Sequence, residues 1–317
     1  MRAGGFAAAL ALDIVIGDPQ WLPHPVRAVG AAVNACDRVA RDLAIREHPV
    51  AGRIAGIFTT VAVVGATYRV AESLLRRAGK SRAVLESILA ASTLAWRNLI
   101  DEVRSVEAAL ESGDLVRARR QLARIVGRDT NELNETEIAR AVIETLAESL
   151  CDGVVAPLCY LALGEAPLAL AYKAINTLDS MIGHIEPPYR AFGWFAARLD
   201  DAANVIPARA SALAIIAAAR CTFGNAAQSR RVCRRDAGAH RSPNAGWPEA
   251  AISGALGVRL GGLNSYDGTL VHAPSIGTEF RAPRATDLPR ARQIVSLAAA
   301  LLAMTILALL AVRDALR

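Results

Sequence analysis

Asp200, Asp201 and Asn204 are the residues of this sequence best placed to bind a metal ion. On a helix, Asn204 lies four positions after Asp200 and three after Asp201, so the three side chains can converge on one cation. Carboxylate and amide oxygens suit Mg²⁺, which commonly bridges protein carboxylates and substrate phosphates. Arg198 and Arg209 are close in sequence and can bind such a phosphate. The alternative is a helix cap followed by a solvated turn.

A second group of carboxylates lies on a helix predicted over residues 134–152. At about 100° per residue, four carboxylates share one face of this helix: Glu137, Glu144, Glu148 and Asp152. A solvated surface is one explanation for this stripe, and binding of Mg²⁺ beside an apolar segment is the other. The candidate catalytic residues of this region are Asp129, Glu144, Glu148 and Asp152, and Arg128 is a candidate phosphate ligand.

Two loop segments hold further polar side chains in rigid surroundings. Three prolines between Gly17 and Val26 restrict the backbone around Asp18 and His24, which are candidate catalytic residues. Farther along, Pro248 suits the first turn of a helix, and helix N-termini with nearby arginines can bind anions. The remaining candidates for substrate or phosphate binding are His184, His240, Ser242, Asn244, Glu249 and Tyr266. Structured loops without a chemical role are the alternative for both segments.

The composition indicates a membrane protein that also carries substantial polar segments. Of the 317 residues, 53% are hydrophobic and 21% are charged, and the mean hydropathy is +0.28. This excludes a disordered chain, which would have low hydrophobicity. The net charge is +6, but only 5% of the residues are aromatic and none is interleaved with a basic run. Nucleic acid is therefore not an expected partner.

Apolar stretches predict an all-α, polytopic integral membrane protein with long structured polar loops. Residues 294–312 contain no charge, and at about 1.5 Å per residue they nearly cross a hydrocarbon core of roughly 30 Å. Shorter or interrupted stretches suggest further spans at roughly 4–17, 52–68, 154–171 and 205–219. No β alternation is visible, so strands are not predicted.

The arginines indicate how such a chain would be oriented. With five spans, the arginine-rich segments 69–150 and 220–292 fall on the same side, which is the cytoplasm. We expect one membrane-embedded domain over residues 1–317, with a polar helical segment at 97–152 and a polar loop segment at 221–292. The polar motifs are expected to line one cytoplasmic cavity, because one reaction needs its groups in one site.

Six short motifs spread over most of the chain carry a family resemblance. They are Gly17-Asp18-Pro19, Pro23-His24-Pro25-Val26, Gly127-Arg128-Asp129-Thr130, Asp152-Gly153-Val154, Arg198-Leu199-Asp200-Asp201 with Asn204, and Ser242-Pro243-Asn244-Ala245-Gly246-Trp247-Pro248-Glu249. In this order they resemble the cobinamide-phosphate synthase family of cobalamin biosynthesis, from about residue 10 to the last span. Two departures are Ser149, where asparagine is expected, and Ile185, where lysine is frequent.

The resemblance implies a multi-pass enzyme of the cell membrane with a cytoplasmic active site. Such an enzyme joins adenosylcobyric acid to (R)-1-aminopropan-2-ol phosphate, or a related amino-alcohol phosphate, through an amide bond. ATP with Mg²⁺ would drive the step, although the sequence contains no standard P-loop. Membrane lipid and other membrane enzymes of the corrinoid pathway are the further expected partners. The alternative is a non-catalytic transport or sensing paralogue of the same fold.

Overall fold

The computed structural model describes residues 1–18, 24–184, 186–222, 224–266 and 268–317, and 74% of the chain is helical. The helices are α1 (Ala3–Ile16), α2 (Pro25–Asp42), α3 (Pro49–Arg77), α4 (Arg82–Ala91), α5 (Trp96–Glu111), α6 (Leu115–Leu122), α7 (Glu135–Leu150), α8 (Ala156–Ile182), α9 (Trp194–Ala203), α10 (Val205–Cys221), α11 (Ala226–Asp236), α12 (Gly246–Leu256) and α13 (Leu288–Ala315). Residues 19–23, which include Pro19 of the first motif and Pro23 of the second, and Ile185 lie outside the described residues.

A β-hairpin interrupts the otherwise helical architecture. Strands β1 (Leu260–Tyr266) and β2 (Thr269–Ile276) pair in antiparallel register, with Leu263 opposite His272. The predicted all-α class is confirmed in its helical content, but the expectation of no strands was wrong for this part of the segment 221–292.

The chain folds into two compact units. The first unit contains Met1–Ala95, Ala156–Asn204 and Ile306–Arg317, and the second contains Trp96–Val155 and Val205–Thr305. The polar helical segment and the polar loop segment both fall in the second unit.

In the first unit, α3 and α8 pack together over a core that contains Val33, Leu178 and Phe192. Gly56 of α3 lies against the backbone of Phe192, in the segment between α8 and α9. A Cβ atom on Gly56 would lie 1.8 Å from the carbonyl oxygen of Phe192. Because that distance is far shorter than any van der Waals contact, only glycine permits the backbones to approach in this way.

Three helix ends and the break in α8 meet at one place in the first unit. The backbone N–H of Ala3, at the start of α1, donates to the Asp314 carboxylate at the end of α13, over 2.7 Å. Helix α8 is broken at Gly164 and Glu165, where Glu165 has a φ of 61°. Arg82, at the start of α4, donates to the Glu165 carboxylate at 3.0 Å. An ion-paired carboxylate thus interrupts the apolar stretch of α8.

The second unit is organised around α12, which packs against α10 and α11 and is buried along most of its length. A Cβ atom on Gly254 would lie 2.6 Å from Cα of Ser229, so α11 and α12 are in backbone contact there. Arg140 of α7 donates to the carbonyl oxygens of Gly261 and Leu263. These bonds hold the hairpin beside the carboxylates of α7.

Three helical segments of the described chain are long and apolar enough to cross a membrane: Pro49–Arg77, Glu135–Ile182 and Ala285–Ala315. Helices α9 and α10, which are broken at Asn204, make a fourth if they count as one span. These segments overlap four of the predicted stretches, whereas α1 has only 14 residues and is about 21 Å long, too short to cross alone. The helix content therefore indicates a membrane protein.

Candidate functional site

Asp200 is the buried centre of a polar cluster in the first unit. It is 9% exposed. Its Oδ2 accepts a hydrogen bond from Nδ2 of Asn204 at 2.9 Å, and Oδ1 of Asn204 accepts one from the Tyr172 hydroxyl at 2.9 Å. The Oδ1 atom of Asp200 is buried and accepts no hydrogen bond from the described residues. Because an unpaired buried carboxylate oxygen is costly, this atom marks a place where a cation would be stabilised.

Lys173 and Asn176 of α8 are further polar groups that face Asp200. Nζ of Lys173 donates to Oδ1 of Asn176 at 3.2 Å. Sequence reasoning missed Lys173, which lies just beyond the predicted apolar stretch 154–171. Amino-acid usage could have identified it: of 36 basic residues, only Lys80 and Lys173 are lysines. We refer to Asp200, Asn204, Tyr172, Lys173 and Asn176 as the Asp200 cluster.

Asp18 and His24 lie at the N-terminal end of α2 in the same unit. Nε2 of His24 is 3.8 Å from Oδ2 of Asp18, and Nδ1 accepts a hydrogen bond from the backbone of Val26 at 3.3 Å. Burial lowers the pKa of His24; the charge of Asp18 opposes this effect, and Arg27 and Lys173 reinforce it. The imidazole is therefore neutral at pH 7, and its interaction with Lys173 links it to the Asp200 cluster.

The other candidates of the first unit have different surroundings. Asp201 pairs with Arg198 at 3.5 Å, and the Arg198 side chain is 66% exposed. The ring of His184 packs on Tyr189, with 5.7 Å between the ring centroids. Of the three predicted metal ligands, Asp200 has an open carboxylate oxygen, and Asp201 follows it in the sequence. The amide oxygen of Asn204 already accepts a hydrogen bond from the Tyr172 hydroxyl. No three His, Cys, Asp or Glu side chains within the described ranges are grouped as metal ligands.

In the second unit, Arg128 and Glu144 form a buried ion pair. Nη2 of Arg128 is 2.7 Å from Oε2 of Glu144, and the two side chains are 10% and 7% exposed. Oε1 of Glu144 accepts a hydrogen bond from the backbone of Gly261 at 2.8 Å, and Nη1 of Arg128 donates to Asn264 at 2.8 Å. Both side chains are thereby fixed against β1. Sequence reasoning missed Asn264, because a hairpin was not expected.

Asp129 ties the loop after α6 to the hairpin. Its Oδ2 accepts hydrogen bonds from Oγ of Ser265 at 2.6 Å and from the backbone of Gly268 at 2.9 Å. Its own backbone N–H donates to the carbonyl oxygen of Ser265 at 2.8 Å. These contacts give Asp129 a positioning function, and the catalytic role suggested by the sequence stays a prediction.

Glu144, Glu148 and Glu249 interact electrostatically and form what we call the glutamate cluster. Glu249 lies in the first turn of α12 and is 6% exposed, yet it accepts no hydrogen bond from the described residues. Its nearest ionisable contact is Nε2 of His240, at 3.8 Å. Burial raises the pKa of Glu249 well above its usual range, the charges of Glu144 and Glu148 raise it further, and Arg128 opposes them. Glu148 is exposed.

Local hydrogen bonds order the loop between α11 and α12. The Ser242 hydroxyl accepts hydrogen bonds from the backbones of Asn244 and Ala245, both at 3.2 Å. The backbone N–H of Ser242 donates to Nδ1 of His240 at 3.0 Å. Burial lowers the pKa of His240. The ring is therefore neutral, with Nδ1 as the acceptor and the proton on Nε2.

The side chain of Arg209, in α10, contacts residues at the start of α12. Its Nη1 donates to Oδ1 of Asn244 at 3.3 Å, and its guanidinium lies 4.7 Å from the centroid of the Trp247 ring. Two further candidates belong to the second unit: Tyr266 ends β1 and is 40% exposed, and Asp152 lies half-buried in the π-helical turn Cys151–Val155.

The structure thus brings the candidates together in two sets, one within each unit. The first set contains Asp18, His24 and Asp200, and the second contains Arg128, Glu144, Glu148, His240 and Glu249. The expectation that the polar motifs line a single cavity stays a prediction.

Comparison with known proteins identifies relatives over nearly the whole chain. Residues 6–295 match the family described as CobD/Cbib protein. A cobalamin biosynthesis protein CobD of Citrobacter koseri is 44% identical over 306 residues, which is 95% of each chain. One of Geobacter metallireducens is 44% identical over 88% of this chain and 87% of its own. A cobalamin biosynthesis protein CbiB of Salmonella typhimurium is 43% identical over 92% of each chain. No solved structure matches the chain.

Proposed function

Because the chain belongs to the CobD/CbiB family of cobalamin biosynthesis proteins, we propose that it is a membrane-embedded carbon–nitrogen ligase. It joins the carboxylate of adenosylcobyric acid to the amine of (R)-1-aminopropan-2-ol phosphate, or of a related amino-alcohol phosphate. ATP drives the reaction, since condensing a carboxylate with an amine in water is unfavourable. Transfer of a phosphoryl group to the carboxylate is the simplest activation, and cationic groups stabilise such a transfer.

The Asp200 cluster is the observation that carries this proposal. A buried carboxylate with an open oxygen is stabilised by a cation, and Lys173 provides a positive charge beside it. Asp200 and Asp201 would hold Mg²⁺, which neutralises phosphate charge when it is bound. Lys173 would bind a phosphate oxygen as a compact point charge. The neutral His24 can accept or donate a proton next to this group.

The activity is tested with purified protein in lipid nanodiscs. We expect ATP turnover and an amide-linked product, detected by mass spectrometry, when ATP, Mg²⁺, adenosylcobyric acid and the amino-alcohol phosphate are all present. Leaving out either organic substrate should stop both. ATP turnover that does not depend on these two organic substrates would contradict the proposal. The absence of any ATP turnover would favour a transport or sensing paralogue.

We further propose that the protein lies in the cell membrane with the loop between α11 and α12 in the cytoplasm, where ATP and the corrinoid are available. Five arginines in and after α11 favour this orientation: Arg230, Arg231, Arg234, Arg235 and Arg241. Helix α13 would then cross the bilayer and end on the opposite side.

A thiol-labelling experiment tests this orientation in a cysteine-free background. We expect Arg241→Cys to be protected from a membrane-impermeant thiol reagent in intact cells and to react after lysis, because residue 241 is exposed but cytoplasmic. Leu316→Cys, which is 83% exposed beyond α13, is the matched control and should react in intact cells. The opposite pattern would show that the orientation is inverted.

A further inference from the structure

Glu249 is a buried acid that the fold does not neutralise. Glu249 is 6% exposed, and its carboxylate accepts no hydrogen bond from the described residues. The closest ionisable atom is Nε2 of His240, which lies 3.8 Å from Oε1 of Glu249. That distance is too long for a hydrogen bond. A carboxylate in such surroundings is stabilised when a cationic group binds to it. Glu249 therefore indicates a binding position for a positively charged ligand group.

The surrounding atoms favour an organic ammonium over a metal ion. Both oxygens of Glu144 are already engaged, by Arg128 and by the backbone of Gly261. His240 uses Nδ1 to accept a hydrogen bond from Ser242, so its Nε2 carries the proton and has no lone pair for a metal. Arg128 adds a fixed positive charge beside the glutamates, which disfavours a divalent ion more than a monovalent one.

We propose that Glu249 binds the primary ammonium group of the amino-alcohol phosphate and accepts a proton from it. This inference rests on the proposed ligase function and assigns the amine end of the substrate to the glutamate cluster. Glu148, which has no hydrogen-bond or ion-pair partner in the described parts of the chain, offers a second carboxylate to the ammonium. The Arg128–Glu144 pair fixes the third carboxylate in place.

The proton transfer follows from the chemistry of the amine. An ammonium nitrogen has no lone pair, so it must lose one proton before it can attack an acyl carbon. That proton passes to a carboxylate oxygen of Glu249, leaving a neutral amine and a neutral carboxylic acid. The raised pKa of Glu249, caused by burial and by its glutamate neighbours, brings its proton affinity closer to that of an amine.

Binding of two phosphates that differ only in the amine tests the inference. Calorimetry would compare (R)-1-aminopropan-2-ol phosphate with isopropyl phosphate, which lacks the amine, on wild type, Glu249→Gln and Glu111→Gln. We expect wild type to bind the amine-bearing ligand about 10- to 100-fold more tightly, as is typical of a charged hydrogen bond. Glu249→Gln should lose most of this preference, because only the carboxylate of Glu148 then remains to bind the ammonium. Glu111 is an exposed residue of α5, and its variant should retain the preference.

Three outcomes would overturn the inference: a preference retained in Glu249→Gln, no preference in wild type, or a loss of Mg²⁺ binding in Glu249→Gln measured with the metal alone. Thermal unfolding shows whether the variant is folded, and no hydrogen bond is lost by the substitution. The ligation assay is independent of these measurements. Ligation without amine discrimination contradicts this inference alone, whereas discrimination without ligation contradicts the proposed function alone.

Discussion

Replacing Asp200 by asparagine is expected to lower kcat/KM of the proposed ligation by about 100-fold or more, the usual scale for losing one electrostatic group at a reacting phosphate. The substitution keeps the size of the side chain but removes the charge that would hold Mg²⁺ beside Lys173. Stability should not fall, since a neutral amide costs less to bury than a carboxylate with an open oxygen. The ligation assay and a thermal unfolding measurement report the two effects.

Asp42→Asn is the matched control for Asp200→Asn. Asp42 ends α2 in the same unit, is 72% exposed and pairs only with Arg41 among the described residues. Its variant should keep both activity and stability. Near-normal activity of Asp200→Asn would mean that Asp200 is a structural residue and that the phosphate is bound elsewhere.

Replacing Arg128 by methionine is expected to destabilise the hairpin region by about 3–5 kcal/mol, because a buried carboxylate left without its partner is strongly unfavourable. Glu144 would keep the hydrogen bond from Gly261 but lose the guanidinium. Hydrogen exchange of the β1 backbone amides, in the protein reconstituted in nanodiscs, measures the free energy of local opening.

Two comparison variants make this result specific to the buried pair. Arg124→Met removes an exposed partner of Glu102, with 52% of the arginine side chain accessible, and should change the opening free energy by less than about 1 kcal/mol. Adding Glu144→Gln to Arg128→Met should recover much of the loss. Equal effects of Arg124→Met and Arg128→Met would show that the buried pair has no special importance.

Local features of the fold could be predicted where a residue type has a direct conformational effect. Helix α5 ends at Glu111, just before Ser112, Gly113 and Asp114, and the Asp114 side chain caps α6. Pro248 lies in the first turn of α12, as its missing N–H suggested. The hairpin was missed because Gly261 and Gly262 suggest a loop, although they adopt positive φ within a bulged strand.

The clusters could be predicted less well, because they depend on contacts between distant residues. Arg128 meets Asn264 across 136 positions, and no spacing rule reports such a contact. The helical spacing of Asp200 and Asn204 was correct, since they are in contact. It could not show that Tyr172, 32 positions earlier, occupies the amide oxygen. Tertiary packing, rather than local periodicity, decides which polar atoms stay available.

The hydrogen bond between Ala3 and Asp314 sets the parity of the membrane crossings. It brings both of these residues to one side of the first unit, and a chain with both positions on one side of a bilayer must cross it an even number of times between them. Five spans would separate them and do not agree with this contact. The same condition applies to Arg82, because Arg82 and the N-terminal ammonium group both bind the Glu165 carboxylate. A crossing of the bilayer by α3 therefore needs a second crossing between Ala3 and Arg82.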